Sequence, residues 1–368
     1  MEELFCIGCG AQIQTTDKDV AGFTPQSALE KGLETGQLYC QRCFRLRHYN
    51  EISDVNISDD DFLKLLHSVG ESDALVVNVI DIFDFNGSII PGLPRFISGN
   101  DVLLVGNKQD ILPKSVKTGK VTQWLTERAY EIGMRPVDVV LTSAQNKQAI
   151  KDLIGKIEQY RKGRDVYVVG VTNVGKSTLI NAIIQEITGD KDVITTSRFP
   201  GTTLDKIEIP LDDGSFIYDT PGIIHRHQMA HYLTAKNLKY ISPRKEIKPK
   251  TYQLNPEQTL FLAGLGRFDF VSGERQGFTA FFDNELQLHR TKLQGASDFY
   301  QKHAGTLLVP PTSKELKEFP ELVRHEFTIN EKTDVVFSGL GWIRVNEKAK
   351  IAAWAPKGVD VVIRKAII

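Results

Sequence analysis

An α/β doubly wound sheet, preceded by a small cysteine module and followed by a β-rich region, is the fold predicted by three features of this sequence of 368 residues. Between Asp54 and about Tyr240, short apolar runs alternate with longer amphipathic stretches, the pattern of buried parallel strands joined by helices. A glycine-bearing run, Gly170-Val171-Thr172-Asn173-Val174-Gly175-Lys176-Ser177, directly follows one apolar run and opens a helical stretch. The third feature is order. Asn107-Lys108-Gln109-Asp110 and Thr142-Ser143-Ala144 come before that loop, whereas Pro200-Gly201-Thr202-Thr203 and Asp219-Thr220-Pro221-Gly222 follow it. An ordinary G domain starts with the phosphate loop and ends with the base-reading motifs, so this order predicts a circularly permuted G domain with its nucleotide at the carboxyl ends of the strands.

Residues 1–52 come first. All four cysteines fall there, as Cys6-x-x-Cys9 and Cys40-x-x-Cys43. Two such pairs offer four thiolates to one tetrahedral Zn²⁺, and four protein ligands leave no open position, so the role is structural. A redox pair is the alternative, and the 30 residues between the pairs exceed common zinc-ribbon spacing. So small a module relies on its metal for a core. Arg42, Arg45, Arg47 and His48, interleaved with Phe44 and Tyr49, form a mixture suited to phosphate contact with base stacking. A solvated charged turn reads the same way.

The G domain covers residues 53–235. Strands are expected at 74–80, 102–105, 137–141 and 166–169, and helices near 118–132, 148–160 and 176–187. From 236 to 368 the sequence turns β-rich. Leu260-Phe261-Leu262-Ala263-Gly264-Leu265-Gly266 is echoed by Val335-Val336-Phe337-Ser338-Gly339-Leu340-Gly341, and a further strand pair is expected after each, bent at Asp283-Asn284 and at Pro356-Lys357-Gly358. Two similar β units follow from this. The connector carries Lys236, Lys239, Arg244, Lys245, Lys248 and Lys250 against Glu246, a local basic stretch in a chain of formal net charge −1. No apolar stretch approaches the roughly 20 residues that span a bilayer, and the acidic start Met1-Glu2-Glu3 lacks a signal-peptide core, so a cytoplasmic location without membrane contact is expected.

The chemistry expected of the loop is GTP binding and hydrolysis. Gly170, Asn173, Val174, Gly175 and Thr178 shape a cradle whose backbone N–H groups wrap phosphates at a helix N-terminus, and Lys176 bridges the β and γ phosphates. Ser177 and Asp219 would hold Mg²⁺, joined by Thr203, or by Thr202, when a γ phosphate is present; Gly222 offers its N–H to that phosphate. Asp110 accepts from N1–H and the exocyclic amine of guanine, for which adenine has no match. Asn107 braces base and loop, Lys108 lays its stem along the ring, and Ser143-Ala144 presents a backbone N–H to O6. Catalysis is expected from Lys176, Thr203 and Asn173. Ile223 stands where some GTPases place a water-orienting glutamine, so slow turnover is expected unless a partner or a K⁺, the latter coordinated with help from the Asn173 amide, supplies the missing charge. A loop-capping asparagine is the alternative. His225, Arg226 and His227 lie just beyond.

On these motifs, the four cysteines and the Asp81-x-x-Asp84-x-x-Gly87-Ser88 stretch, the chain resembles the circularly permuted GTPases of the YqeH family. The resemblance implies a treble-clef-like zinc module, a permuted G domain, a C-terminal domain similar to RNA-binding β proteins, and a part in biogenesis of the small (30S) ribosomal subunit. It implies ribosomal RNA, a small-subunit precursor or ribosomal proteins as partners. The alternative is a nucleotide-regulated RNA-binding regulator away from the ribosome, and oligomeric state is open.

Overall fold

A computed structural model describes residues 4–7, 11–18, 20, 22–36, 38–49, 59–188, 195–198, 205–222, 227–234 and 236–367. Packing draws its boundary differently from composition. One compact unit comprises Met1–Ile82, Ser88–Gln109 and Thr122–Ile224; the other comprises Phe83–Gly87, Asp110–Val121 and His225–Ile368. Three pieces of the G-domain sequence, 83–87, 110–121 and 225–235, thus belong to the unit that holds the β-rich region.

In the first unit, helices α1 (Gln26–Thr35) and α2 (Gln41–Tyr49) form the N-terminal module. Beyond α3 (Asp59–Gly70) runs a seven-stranded sheet of β1 (Ala74–Asp81), β2 (Val102–Asn107), β3 (Asp138–Leu141), β4 (Asp165–Val169), β5 (Thr195–Arg198), β6 (Asp205–Pro210) and β7 (Phe216–Asp219). The spatial order is β3-β2-β1-β4-β7-β6-β5. Strands β3, β2, β1, β4 and β7 pair in parallel, neighbour to neighbour, while β6 runs antiparallel to β7 and β5. Helices α4 (Leu93–Phe96), α5 (Thr118–Glu131), α6 (Lys147–Arg161) and α7 (Lys176–Thr188) fall between strands, as the alternating pattern predicts. All eight residues of β1 are buried, which explains its apolar run Ala-Leu-Val-Val-Asn-Val-Ile-Asp, interrupted by Asn78 and ended by Asp81: a central parallel strand has no solvent face. Asn146 caps α6 by accepting from the N–H groups of Gln148 (3.0 Å) and Ala149 (3.2 Å).

The β-rich region holds β8 (Lys250–Leu254), β9 (Gln258–Leu262), β10 (Gly266–Gly273), β11 (Gln276–Phe282) and β12 (Leu288–Lys292). Helix α8 (Ala296–His303) and the short pair β13 (Ala304–Gly305) and β14 (Leu308–Thr312) intervene. Then come β15 (Leu322–Ile329), β16 (Thr333–Phe337), β17 (Gly341–Val345), β18 (Ala349–Pro356) and β19 (Val361–Lys365). The two five-stranded sheets have the orders β12-β9-β10-β18-β15 and β19-β16-β17-β11-β8. Exchanging β8–β12 for β15–β19 turns one order into the other. The echoed segments are therefore two equivalent copies, and each sheet takes three strands from one copy and two from the other.

One expectation needs correction. The strands on either side of Asp283-Asn284 do not pair: β11 lies between β17 and β8, whereas β12 lies against β9. Those around Pro356-Lys357-Gly358 part in the same way, β18 lying between β10 and β15 and β19 against β16. Each bend carries the chain from one sheet to the other, and the reason is burial. Leu286 and Val359 at the two bends are 0% and 3% exposed in the core between the sheets, a position that a tight hairpin turn would leave in water. Phe268, Phe270, Phe278, Phe337, Ile343 and Ile351 fill that core from both sheets.

Candidate active site

Strands β1, β2, β3, β4 and β7 run the same way, so the segments that leave their carboxyl ends are brought to one edge of the sheet. Asp81 ends β1 directly opposite Asn107, which ends β2. The phosphate loop leaves β4 and Asp219 ends β7. The motif-bearing strands lie side by side although they do not follow one another in the chain, β4 between β1 and β7.

The loop is shaped from both flanks. Asn173 and Gly175 take left-handed backbones, with φ of 68° and 81°. At Gly175 a Cβ would lie 2.7 Å from Asn107 Nδ2, and at Gly170 it would lie 2.9 Å from the Val79 carbonyl oxygen, so glycine is required at both for close approach. Asn107 Nδ2 donates to the carbonyls of Val174 (2.9 Å) and Gly175 (3.4 Å), giving the first base-motif residue the role of clasping the phosphate loop. Lys108, itself at φ 63°, donates to Asp81 Oδ2 at 2.6 Å and to the Asn173 carbonyl at 2.8 Å. Asp81 is fixed in turn by the Ser88 hydroxyl, which accepts its N–H at 3.0 Å. Asn173 stands exposed at the loop tip, whereas Val174 is buried and Thr178 is exposed one turn into α7.

Lys176 and Asp219 are 2% and 4% exposed, and the Lys176 ammonium donates to the Asp219 carboxylate and to the Thr220 carbonyl. Either charge buried alone would cost several kcal/mol, so each offsets the burial of the other beside the loop. Ser177, 8% exposed, sits on the first turn of α7. The Thr220 hydroxyl donates to Val168 at 2.8 Å, which locks the strand end that presents Asp219. Gly222 approaches Thr172 of the loop so closely that an added Cβ would lie 3.3 Å from its amide nitrogen. Thr142 N–H donates to Gly106 (2.8 Å) and the Thr142 carbonyl accepts from Gln109 (3.0 Å), tying the Ser143-Ala144 turn to the base-reading turn. Asp110 is exposed in the 3₁₀ turn Gln109–Ile111. Thr202, Thr203, Ile223, His225 and Arg226 lie outside the described residues.

In the N-terminal module the ligand atoms of Cys6, Cys40 and Cys43 lie within 4.8 Å of one another, and all three residues are buried. Cys40 N–H donates to Cys6 Sγ at 3.2 Å, the kind of contact that favours a thiolate. This donor set fits Zn²⁺; Cys9 lies outside the described residues.

Sequence reasoning assigned no role to the Asp81–Ser88 stretch and passed over Gln228. Asp84 Oδ1 accepts the Gly87 N–H at 3.3 Å, and Gln228 Nε2 donates to Asp84 Oδ2 (2.9 Å) and to the Gly87 carbonyl (2.8 Å). A Cβ on Gly87 would come within 2.4 Å of both side chains. The D-x-x-D-x-x-G-S spacing at a strand end was the available signal; nothing local marks Gln228.

The YqeH protein of Bacillus subtilis (strain 168) is 59% identical to this chain over 370 residues, covering 100% of each. The chain belongs to the YqeH family. Within the YqeH-family sequence, the family description "YqeH-like, C-terminal" matches residues 275–367 and "50S ribosome-binding GTPase" matches 165–255. NO-associated protein 1, chloroplastic/mitochondrial, of Arabidopsis thaliana is 30% identical over 96% of this chain and 72% of its own length. Nitric oxide-associated protein 1 of Homo sapiens is 26% identical over 99% and 74%. This YqeH-family chain is a GTPase. Mg²⁺ would neutralise phosphate charge during turnover, and Ser177 and Asp219 are the described side chains that would hold it. With nucleotide bound, the loop N–H groups would position the phosphates, and Lys176 would be the cation nearest the oxygens where charge develops. Among the described residues, no helix is long and apolar enough to cross a membrane.

Proposed function

We propose that this GTPase is a cytoplasmic nucleotide-driven switch in ribosome assembly, acting in biogenesis of the small subunit through RNA or ribonucleoprotein binding. The observation that carries the reading is how the end of the second switch is held. His227, Gln228 and Met229 follow Asp219-Thr220-Pro221-Gly222 in the chain, and all three are fastened within the unit that contains the β-rich region. The Asp360 N–H donates to the His227 carbonyl (3.1 Å), the Met229 N–H donates to the Ser338 carbonyl (2.9 Å), and Gln228 holds Asp84 and Gly87. Ser338 and Asp360 lie in the β16–β17 and β18–β19 turns, so a γ phosphate that reorders the second switch pulls on the loops of that region.

Charge supports an RNA partner. Residues 236–368 carry 21 lysines and arginines against 15 acids in a chain whose total is −1. The basic connector is docked, with Ile247 N–H donating to Ile111 (2.9 Å) and Lys248 N–H to Asn284 Oδ1 (2.8 Å). Lys236, Lys239, Arg244, Lys245, Lys248 and Lys250 nevertheless stay exposed, with Lys239 near Glu285 at 3.8 Å. The small-subunit assignment follows the family resemblance. K⁺ stimulation is part of the same reading, supported by the exposed Asn173 at the loop tip, and equal turnover in sodium and potassium buffers would remove it.

The test is co-sedimentation of the protein with separated small and large subunits, in GDP and in a non-hydrolysable GTP analogue, at low and high salt. Analogue-dependent binding to the small subunit is expected, weakening with salt. A Gln228→Ala variant is expected to turn over GTP while binding subunits alike in both nucleotide states. Analogue-dependent binding to the large subunit instead would move the assignment to that particle. Absence from both would leave an RNA regulator away from the ribosome as the surviving reading.

A further inference from the structure

In the N-terminal module a cavity of about 470 Å³ is bounded by Pro25, Ala28, Lys31, Tyr39, Phe44 and Arg45, among others of residues 24–45. That volume is in the range of sites for small organic groups. It owes nothing to the nucleotide loop, since every bounding residue comes from α1, α2 or the segments that lead into them.

Three properties restrict the occupant. The walls are apolar and include the rings of Tyr39 and Phe44, and Phe44 is 45% exposed although Cys40 and Cys43 on the same turn are buried. The bounding residues include two cations, Lys31 and Arg45, and no carboxylate. Helix α2 has no acid among its nine residues Gln-Arg-Cys-Phe-Arg-Leu-Arg-His-Tyr, so the positive field extends beyond the cavity. A cationic ligand would meet like charge. An aliphatic side chain would fill the walls but use neither cation. A flat ring joined to phosphates uses the rings and the cations together.

We infer that this cavity receives one unstacked base of a single-stranded RNA, its ring against Phe44 and Tyr39 and its flanking phosphates on Lys31 and Arg45. The inference rests on the RNA reading above and adds a site and a strand state: a paired base inside a duplex cannot enter, whereas a base in a loop or bulge can be splayed into an aromatic site.

The test uses the full-length, zinc-loaded protein and a short fluorescein-labelled RNA, single-stranded or annealed to its complement, read by anisotropy at low and high salt. Wild type is expected to prefer the single strand. Phe44→Ala, which removes the stacking ring, and Ala28→Leu, which fills the cavity without touching charge, are each expected to weaken that binding about 5- to 100-fold, the effect of one stacked base. GTP turnover and zinc content should not change. Zinc content also shows whether either variant has damaged the module, in which case the intact one decides. RNA carrying 4-thiouridine is expected to cross-link within residues 24–45. Single-strand binding that both intact variants keep at wild-type strength, or cross-links confined elsewhere or to a bound protein, overturns the inference and leaves the RNA reading standing. Wild type that binds neither form of RNA at low salt removes both.

Discussion

In the G domain, β1 pairs with β4 although two other strands separate them in the chain; in the β-rich region, consecutive strands β11 and β12 separate into different sheets. The first region pairs strands that are distant in the chain. The second makes its neighbours by interleaving two copies of one unit. The difference teaches what each fold depends on. A parallel sheet buried on both faces is specified strand by strand through apolar runs, so where the chain begins matters little once each loop emerges at the right edge. The interleaved sheets are specified by a shared core. Neither copy has a sheet of its own, because each sheet is completed by two strands of the other copy. The permutation also puts the second switch immediately before the β-rich region, which is where His227 to Met229 are held.

The sharpest way to break the comparison is at the G-domain loop. Lys176→Ala is expected to lower GTP turnover about a hundred- to a thousand-fold, measured by phosphate release, because it removes the charge that meets the phosphates and strands Asp219 in a buried place. Near-normal turnover would mean that the cradle does not work as read. Next comes the metal. Stripping zinc with a chelator is expected to unfold the N-terminal module, seen as lost hydrogen-exchange protection in residues 24–45, while the G domain retains turnover. Loss of both together would show that the module and the sheet fold as one.

The pseudo-symmetry can be sharpened at two equivalent glycines that open β10 and β17. Gly341 has φ 140° and an added Cβ would lie 2.3 Å from the Phe281 carbonyl oxygen; at Gly266 the nearest atom, the Trp354 carbonyl oxygen, would be 3.0 Å away. Gly341→Ala is therefore expected to cost about 3 kcal/mol or more and Gly266→Ala about 1 kcal/mol, read from urea midpoints. Equal costs would mean that the two copies tolerate the same backbone there. The smallest effect concerns pH. The Ser215 hydroxyl and N–H and the Arg161 guanidinium hold the Asp213 carboxyl down at about 2. Its folded value lies below its unfolded one, so its stabilisation is present above about pH 4 and is lost as pH falls toward 2. The difference in urea midpoint between wild type and Asp213→Asn should shrink over that window, and a constant difference would sink the assignment.

Much of the nucleotide site was legible because each motif is a short loop whose residue types carry its chemistry. Gly170 and Gly175 announced close approach, and Lys176 and Asp219 announced charge. The clasp of Asn107 on the Val174 and Gly175 carbonyls was legible only as bracing, since its partners lie more than sixty positions away. Gln228 carried no signal at all: an amide becomes a fastener only when Asp84 and Gly87 are brought to it. The repeat in the β-rich region showed in the Gly-Leu-Gly echo, but hairpin rules misread its bends, because they see turn residues and not the buried Leu286 and Val359.

By itself, then, the sequence determined that the chain is a GTPase, offered the residues of its candidate nucleotide loop, and showed that the motifs come in permuted order, because those properties reside in local backbone shape and in side-chain chemistry. Tertiary structure alone decided that β1 lies beside β4, that two copies of one unit interleave, and that the end of the second switch is fastened to the turns after β16 and β18. Those outcomes depend on which distant surfaces exclude water together, a quantity that no window of neighbouring residues contains.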